Sequence, residues 1–263
     1  MLNVAFTSTG YGPLWAPAAA SWLRAVAYGS REFTVTQVGK IGAAGVTDRT
    51  YTMTAENAVV QQSLNDPTVT HVFMTEMDMI LPHDTLTRLV ALDKDITSGV
   101  YFLRSDYQAA RGQPCLYKKA TAFEAKSQIE RSVQPYMHGA VTLFPTDRPF
   151  RVDCAGLGCT LFKRHVFEKL EYPWFDLKAG AEKQSGYGSD MYFYTHSRQA
   201  GFELWVDPAV QCKQIDYYET DIEDYKWQLD NNPAFVKSGF IIGLGGENED
   251  GLKTEHRSGT ASP

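Results

Sequence analysis

The stretch that most limits what this chain can fold into is Thr70-His71-Val72-Phe73-Met74, which passes directly into Thr75-Glu76-Met77-Asp78 and then Pro82-His83-Asp84. A short apolar run bounded by turn residues reads as a buried strand. Asp84 stands where an N-cap would open a helix over residues 85–92. Strand, acidic turn and helix therefore follow in immediate succession, and a strand that stops in two acids one residue apart sends both side chains to the same side.

The flanking sequence repeats the alternation. Residues 2–7 read as a strand and residues 18–28 as a helix with Pro17 placed to open it. Residues 33–38 read as a strand, and residues 54–65 as a helix with Ala55, Ala58, Val59 and Gln62 at i, i+3, i+4 and i+7. Residues 96–102 form the next strand. Such alternation is the mark of an α/β fold, a Rossmann-like, mostly parallel central sheet flanked by helices. Residues 105–150 mix short strands (115–117 and 140–144) with polar turns and read as an antiparallel half. Residues 152–163 form a Gly-punctuated strand of the kind used where a ligand or another backbone comes close. Helices over 165–170 and 189–200 and a strand over 203–206, closed by Asp207-Pro208, complete a domain spanning 1–216. Residues 217–247 read as a C-terminal lid or packing segment, and 248–263 as a disordered tail whose last residues, 257–263, are either vector-derived or natural. There is no internal repeat.

Composition removes several classes. The formal charge of −6 lowers the case for a dedicated nucleic-acid binder. Cys115, Cys154, Cys159 and Cys212 form no C-x-x-C pair, which argues against a zinc ribbon or a disulfide scaffold and for buried thiols. No stretch approaches the ~18 apolar residues of a membrane span, and the first residues lack the basic flank of a signal peptide, so no stable membrane insertion and a cytoplasmic location are expected. No Ser/His/Asp or Cys/His arrangement suggests a nucleophilic enzyme. His83, His138 and His196 have no paired spacing and read as structural or surface residues. The 14 Tyr, 14 Phe and 5 Trp suit a core and equally a protein that handles flat or ring-shaped ligands.

Glu76-Met77-Asp78 is the sharpest chemical feature, because two hard oxygen ligands on one side of a strand end can share a divalent cation. From His71 to Pro82, and again over Gly99-Val100-Tyr101-Phe102-Leu103-Arg104, the sequence resembles the middle of a GT-A-fold glycosyltransferase, particularly the family-2-like enzymes of bacteria and bacteriophages. Gly156-Leu157-Gly158-Cys159-Thr160-Leu161-Phe162, Tyr172-Pro173-Trp174-Phe175, Gly188-Ser189-Asp190-Met191 and Gly201-Phe202-Glu203-Leu204-Trp205-Val206-Asp207-Pro208 extend the resemblance over roughly residues 2–216.

The resemblance implies that Asp78, assisted by Glu76, holds Mn²⁺ or Mg²⁺ and the diphosphate of a nucleotide sugar, Glu76 standing where the family has the first Asp of D-x-D. It implies that the loop with Thr7, Ser8 and Tyr11 holds base and ribose, an ordinary turn being the alternative. Asn57 is a weak donor-side candidate, lying where relatives carry Arg-Asn; Glu56 replaces the Arg. Asp190 is the expected base or acceptor-binding residue, with Ser189 in place of an acidic neighbour; helix capping is its other reading. Trp174 and Phe175 are either core or acceptor-stacking platforms, and Arg104 either a surface ion pair or a diphosphate ligand. Many relatives place a metal-binding His shortly after the Asp-Pro; the corresponding stretch, 211–216, has none, with Gln214 in that region. The expected activity is inverting transfer of a sugar from a UDP- or GDP-sugar donor to a hydroxyl of a glycan, a protein or a modified nucleobase, in the host cytoplasm if phage-encoded. The alternatives are a nucleotide-sugar or carbohydrate-binding protein without turnover, or a nucleotidyltransferase.

Overall fold

A computed structural model describes residues 1–9, 14–39, 49–103, 112–119, 138–177, 188–215, 219–233, 235 and 240–242. In chain order the elements are β1 (Asn3–Thr9), α1 (Ala16–Gly29), β2 (Thr34–Gly39), α2 (Arg49–Leu64), β3 (His71–Glu76), β4 (Met79–Ile80), α3 (Thr85–Ala91) and β5 (Ile96–Val100). They continue with β6 (Leu116–Lys119), β7 (His138–Leu143), β8 (Phe150–Val152), β9 (Cys154–Ala155), β10 (Cys159–Lys163), α4 (Arg164–Lys169), α5 (Ser189–Gln199) and β11 (Leu204–Gln211). Last come β12 (Lys213–Ile215), β13 (Glu219–Thr220), α6 (Ile222–Asn231) and β14 (Phe240–Ile241).

The fold is a mixed α/β architecture built on a seven-stranded sheet in the order β2-β1-β3-β10-β5-β11-β8. The pairs β1/β2, β1/β3 and β5/β11 are parallel, whereas β10 is antiparallel to both its neighbours and β8 is antiparallel to β11. Helices cover both faces because the strands are apolar on both. Along β1, Ala5 faces one cluster with α2, α4 and α5, while Val4 and Phe6 face a second with Trp22 of α1 and Leu86 and Leu89 of α3. β3 does the same, with Val72 and Met74 on the first side and Phe73 on the second. Each fully buried Phe of this kind contributes roughly 1.5–3 kcal/mol relative to exposure.

Pro17 lies in the first turn of α1 as its sequence position suggests. Asp84 stands at the N-cap of α3 as expected, but its side chain makes no capping bond and pairs with Arg88 at 3.8 Å. The Gly-punctuated strand is broken into β8, β9 and β10, and its glycines answer to packing inside the fold. A Cβ on Gly156 would collide with the Tyr101 hydroxyl, and one on Gly158 would sit 3.1 Å from both the Tyr101 ring and Met79 Sδ. β11 runs on through Asp207-Pro208, with a shift of register between Val206 and Gln211 where the proline cannot donate to the ladder.

Residues from the antiparallel half form a second sheet, β14-β7-β6-β9. A third, β13-β12-β4, folds Lys213 and Gln214 back against Ile80 and Met79. Within the segment expected to be a lid or packing element, Tyr225 packs: it is 3 % exposed, stacks on Phe102 and Phe144, and donates its hydroxyl to Thr142 O at 3.0 Å. A capping box at Asp221 and Asp224 fixes the helix that carries it. Residues 216–218 and the tail 248–263 lie outside the described residues. All four cysteines are free and buried, and no described helix is long and apolar enough to cross a membrane.

Candidate functional site

The carboxyl ends of β1 and β3 lie side by side, with Thr9 opposite Glu76 and Ser8 opposite Thr75. Open α/β sheets bind ligands at such an edge. Glu76 closes β3 and Asp78 sits in the turn after it, both half-buried; Met77 between them is buried, as the alternation of a strand end requires. The turn is held from two directions, by Met77 N–H donating to Thr9 O at 3.2 Å and Ile215 N–H donating to Asp78 O at 2.9 Å. The second contact belongs to β12, and it brings Gln214 onto the turn. Gln214 Nε2 donates to Asp78 Oδ2 at 3.2 Å, while Gln214 Oε1 is buried with no hydrogen-bond partner.

Among the described residues, no group of three His, Cys, Asp or Glu side chains is placed to hold a metal ion. The turn offers a different donor set, two carboxylates and the Gln214 amide oxygen. Hard oxygens of this kind suit Mg²⁺ or Mn²⁺, which commonly rely on few protein ligands and complete their shell with water and substrate phosphate.

A second acidic group stands where α2 meets the start of α5. Glu56 is 4 % exposed, and the Ser189 side chain hydrogen-bonds to it. Burial, reinforced by the nearby charge of Asp190, raises its pKa to about 8 against the opposing pull of the Ser189 bond, so Glu56 holds its proton at neutral pH. Asp190 lies in the first turn of α5, whose N-cap is Gly188, and its Oδ1 accepts from the first-turn Met191 N–H at 2.8 Å. A Cβ at Gly188 would press on that same carboxylate oxygen, so the glycine leaves room for it to fold back.

One buried floor links the two groups. Cys115 and Tyr117 are 3.6 Å apart, Sγ to Oη, and Cys115 N–H donates to Tyr101 O. Burial pushes the Cys115 thiol up to about 12, and the charges of Asp190 and Glu76 both add to that rise. Burial likewise raises Tyr101, which also feels Glu76, and Tyr117, which also feels Asp190. The thiol is therefore no nucleophile. It feels the charge both of Glu76 in the acidic turn and of Asp190 on α5.

Four residues singled out in the sequence are committed elsewhere. Thr7 is fully buried and donates its hydroxyl to Phe73 O at 2.9 Å, because the strand turns that side chain into the sheet. Asn57 spends its amide on backbone: Nδ2 donates to Met53 O and Phe175 O at 2.9 and 2.7 Å, and Oδ1 accepts from Trp174 and Phe175 N–H. Trp174 and Phe175 are 7 % and 1 % exposed, packed against Phe167 and Phe193, with the indole N–H donating to Phe167 O; they are wall, not platform. Ser8 remains half-buried at the strand end. Tyr11 and Arg104 lie outside the described residues. Of the histidines, His83 packs edge-on to Tyr28, His196 packs on Tyr192, and His138 is buried on β7. The residue that sequence reasoning missed is Glu56, whose only signal was an acid standing where the resembling enzymes carry Arg.

No protein-family model and no curated protein matches the chain. Among solved structures it is similar to A197 from STIV at 14 % identity and a TM-score of 0.53, over 85 % of this chain and 92 % of that one. At that identity the likeness bears on the fold alone.

Proposed function

We propose that the chain is a GT-A-like glycosyltransferase that moves a sugar from a nucleoside-diphosphate donor to an acceptor hydroxyl. The observation that carries the reading is that two acidic groups, one at Glu76 and one at Asp190 beside Glu56, both act on the buried Cys115 thiol, with Asp78 in the turn after Glu76. Glu76, Asp78 and Gln214 Oε1 are the groups that would hold Mn²⁺ or Mg²⁺. When bound, such a cation supplies positive charge against the departing diphosphate.

Asp190 takes the proton of the acceptor hydroxyl as its oxygen attacks the anomeric carbon; the bond to the diphosphate breaks on the opposite face, and the configuration inverts. The protonated Glu56 is what allows this. Two adjoining carboxylates in a buried site do not both ionise readily, so with the proton on Glu56 the charge rests on Asp190. In this scheme Glu56 supplies, from α2, the second acid that Ser189 lacks.

The test is product analysis. The full chain is incubated with UDP- and GDP-sugars with and without Mn²⁺, expecting release of UDP or GDP. Pyrophosphate as product would instead favour nucleotidyl transfer, and donor binding without turnover a binding protein. Glycan, protein and hydroxylated-base acceptors are then compared by their stimulation of that release.

A further inference from the structure

A cavity of about 230 Å³ opens between β6, β8 and the C-terminal end of α5, at the far end of that helix from Asp190 and sharing no residue with the acids above. Lys118, Arg151 and Arg198 line it, with Asp153 and Glu203 as the carboxylates among them. The pairing is incomplete. Glu203 is taken by Arg151 in a direct ion pair. Asp153 Oδ2 is taken by the Lys119 N–H at 2.8 Å. That leaves Asp153 Oδ1 to serve two cations, and it reaches neither well: Lys118 Nζ is 3.9 Å away and Arg198 Nη1 3.7 Å, both beyond hydrogen-bond length.

Lys118 and the inner nitrogen of Arg198 are withdrawn from solvent. Lys118 is 8 % exposed, and Arg198 Nη1 is buried with no hydrogen-bond partner. A buried ammonium ordinarily stays charged by pairing closely with a carboxylate or by several hydrogen bonds. Here burial is the largest influence and pulls the Lys118 pKa down; Asp153 opposes it, and Arg151 and Arg198 add smaller downward pulls. Among the described residues, three cations and two carboxylates line the cavity, leaving one positive charge, and neither Lys118 Nζ nor Arg198 Nη1 has an acceptor at hydrogen-bond distance.

We propose that this cavity is a binding site for a phosphate oxyanion, held by Lys118 Nζ and Arg198 Nη1. A phosphate oxygen set in the cavity gives each its missing short acceptor, and a guanidinium beside an ammonium is a common donor pair for phosphate. The volume exceeds that of one phosphate group, so either the free ion or a monoester with a short organic stem fits. The site is independent of the proposed sugar transfer.

The test is thermal unfolding of the full chain in increasing inorganic phosphate, and separately in glycerol 3-phosphate, at ionic strength held constant with NaCl. A ligand of the folded state raises the melting temperature with its concentration. Saturable stabilisation by either probe is expected, the tighter one naming the source. Lys118→Met and Arg198→Gln should each weaken the apparent affinity ~10-fold or more, the size of a lost hydrogen bond to a charged group. Asp190→Asn should leave it unchanged. Stabilisation no greater than NaCl gives, or curves that coincide for wild type and Arg198→Gln, would overturn the proposal. Should Lys118→Met not fold, Arg198→Gln alone decides it.

Discussion

The acidic turn after β3 and the acidic pocket at α5 differ in how they are built. Glu76 and Asp78 are neighbours in sequence, half-buried, and their environment is polar: backbone bonds hold the turn and an amide meets the carboxylate. Glu56 and Asp190 come from opposite halves of the chain, and the first is buried deeply enough to keep its proton at neutral pH. Half-buried carboxylates with an amide oxygen suit a cation and a diphosphate. A carboxyl that keeps its proton beside a second carboxyl suits moving a proton. The two sites thus differ in how deeply their acids are buried, not in residue type.

The largest effect that tests this division is at the turn. Asp78→Asn removes the carboxylate that Gln214 contacts and should abolish donor turnover, with Glu76→Gln only weakening it. Millimolar Mn²⁺ or Mg²⁺ should be required, since the third donor is a neutral amide. Undiminished turnover by Asp78→Asn in excess EDTA would end the metal reading. The next effect is at the pocket. Asp190→Asn should lower acceptor-dependent transfer by ~10²–10⁴-fold, the usual weight of a general base, while nucleotide and metal affinity stay near wild type. Transfer within a few-fold of wild type would remove Asp190 from the chemistry.

Glu56 gives a prediction in pH. Its folded pKa is raised to about 8 from an ordinary 4.5, so the folded state keeps a proton that the unfolded chain gives up. The associated stability is fully present below pH 4.5 and is lost as pH rises to about 8, at a slope of about 1.4 kcal/mol per pH unit. Glu56→Gln keeps the shape and the Ser189 contact but cannot ionise. It should unfold at nearly the same temperature as wild type at pH 5 and at a clearly higher one at pH 9. Parallel stability curves for the two across that range would show that Glu56 ionises freely and would undo the assignment of charge to Asp190.

Which parts were legible follows from the same contrast. The alternation from β1 to β5, the helix at Ser189 and the acidic turn are local patterns, and the helices and strands stand where apolar spacing puts them. Asp207-Pro208 misled because proline usually ends a strand, yet β11 absorbs it in a register shift. Thr7 misled because a hydroxyl at a strand end has two possible faces, and the pleat turned it to Phe73 O. Asn57 with Trp174 and Phe175 misled because a polar residue in a helix can serve the backbone of a distant loop as well as a ligand, and four hydrogen bonds show which it does. The Glu56–Asp190 relation had no local signature, since it exists only once α2 and α5 pack on the same face of the sheet.

The smallest expected effect bears on Gln214. Sequence comparison with the resembling enzymes leaves this region without the His they use, and the fold nonetheless sets Gln214 against Asp78 through the β4/β12 pairing and the Ile215 bond to Asp78 O. The backbone therefore presents residue 214 to Asp78, and the side chain it carries there has a neutral amide oxygen and no imidazole nitrogen. Imidazole binds Mn²⁺ more strongly than it binds Mg²⁺, being the softer ligand. Gln214→His should then lower the Mn²⁺ concentration needed for half-maximal activity by about tenfold, at the low end of what changes around a metal do, and lower the Mg²⁺ requirement less. The comparison of the two metals in one variant is what gives the test its force. Equal shifts for Mn²⁺ and Mg²⁺ would mean that the substitution merely rearranged the turn, and no shift for either would mean that residue 214 faces Asp78 without joining it at a cation.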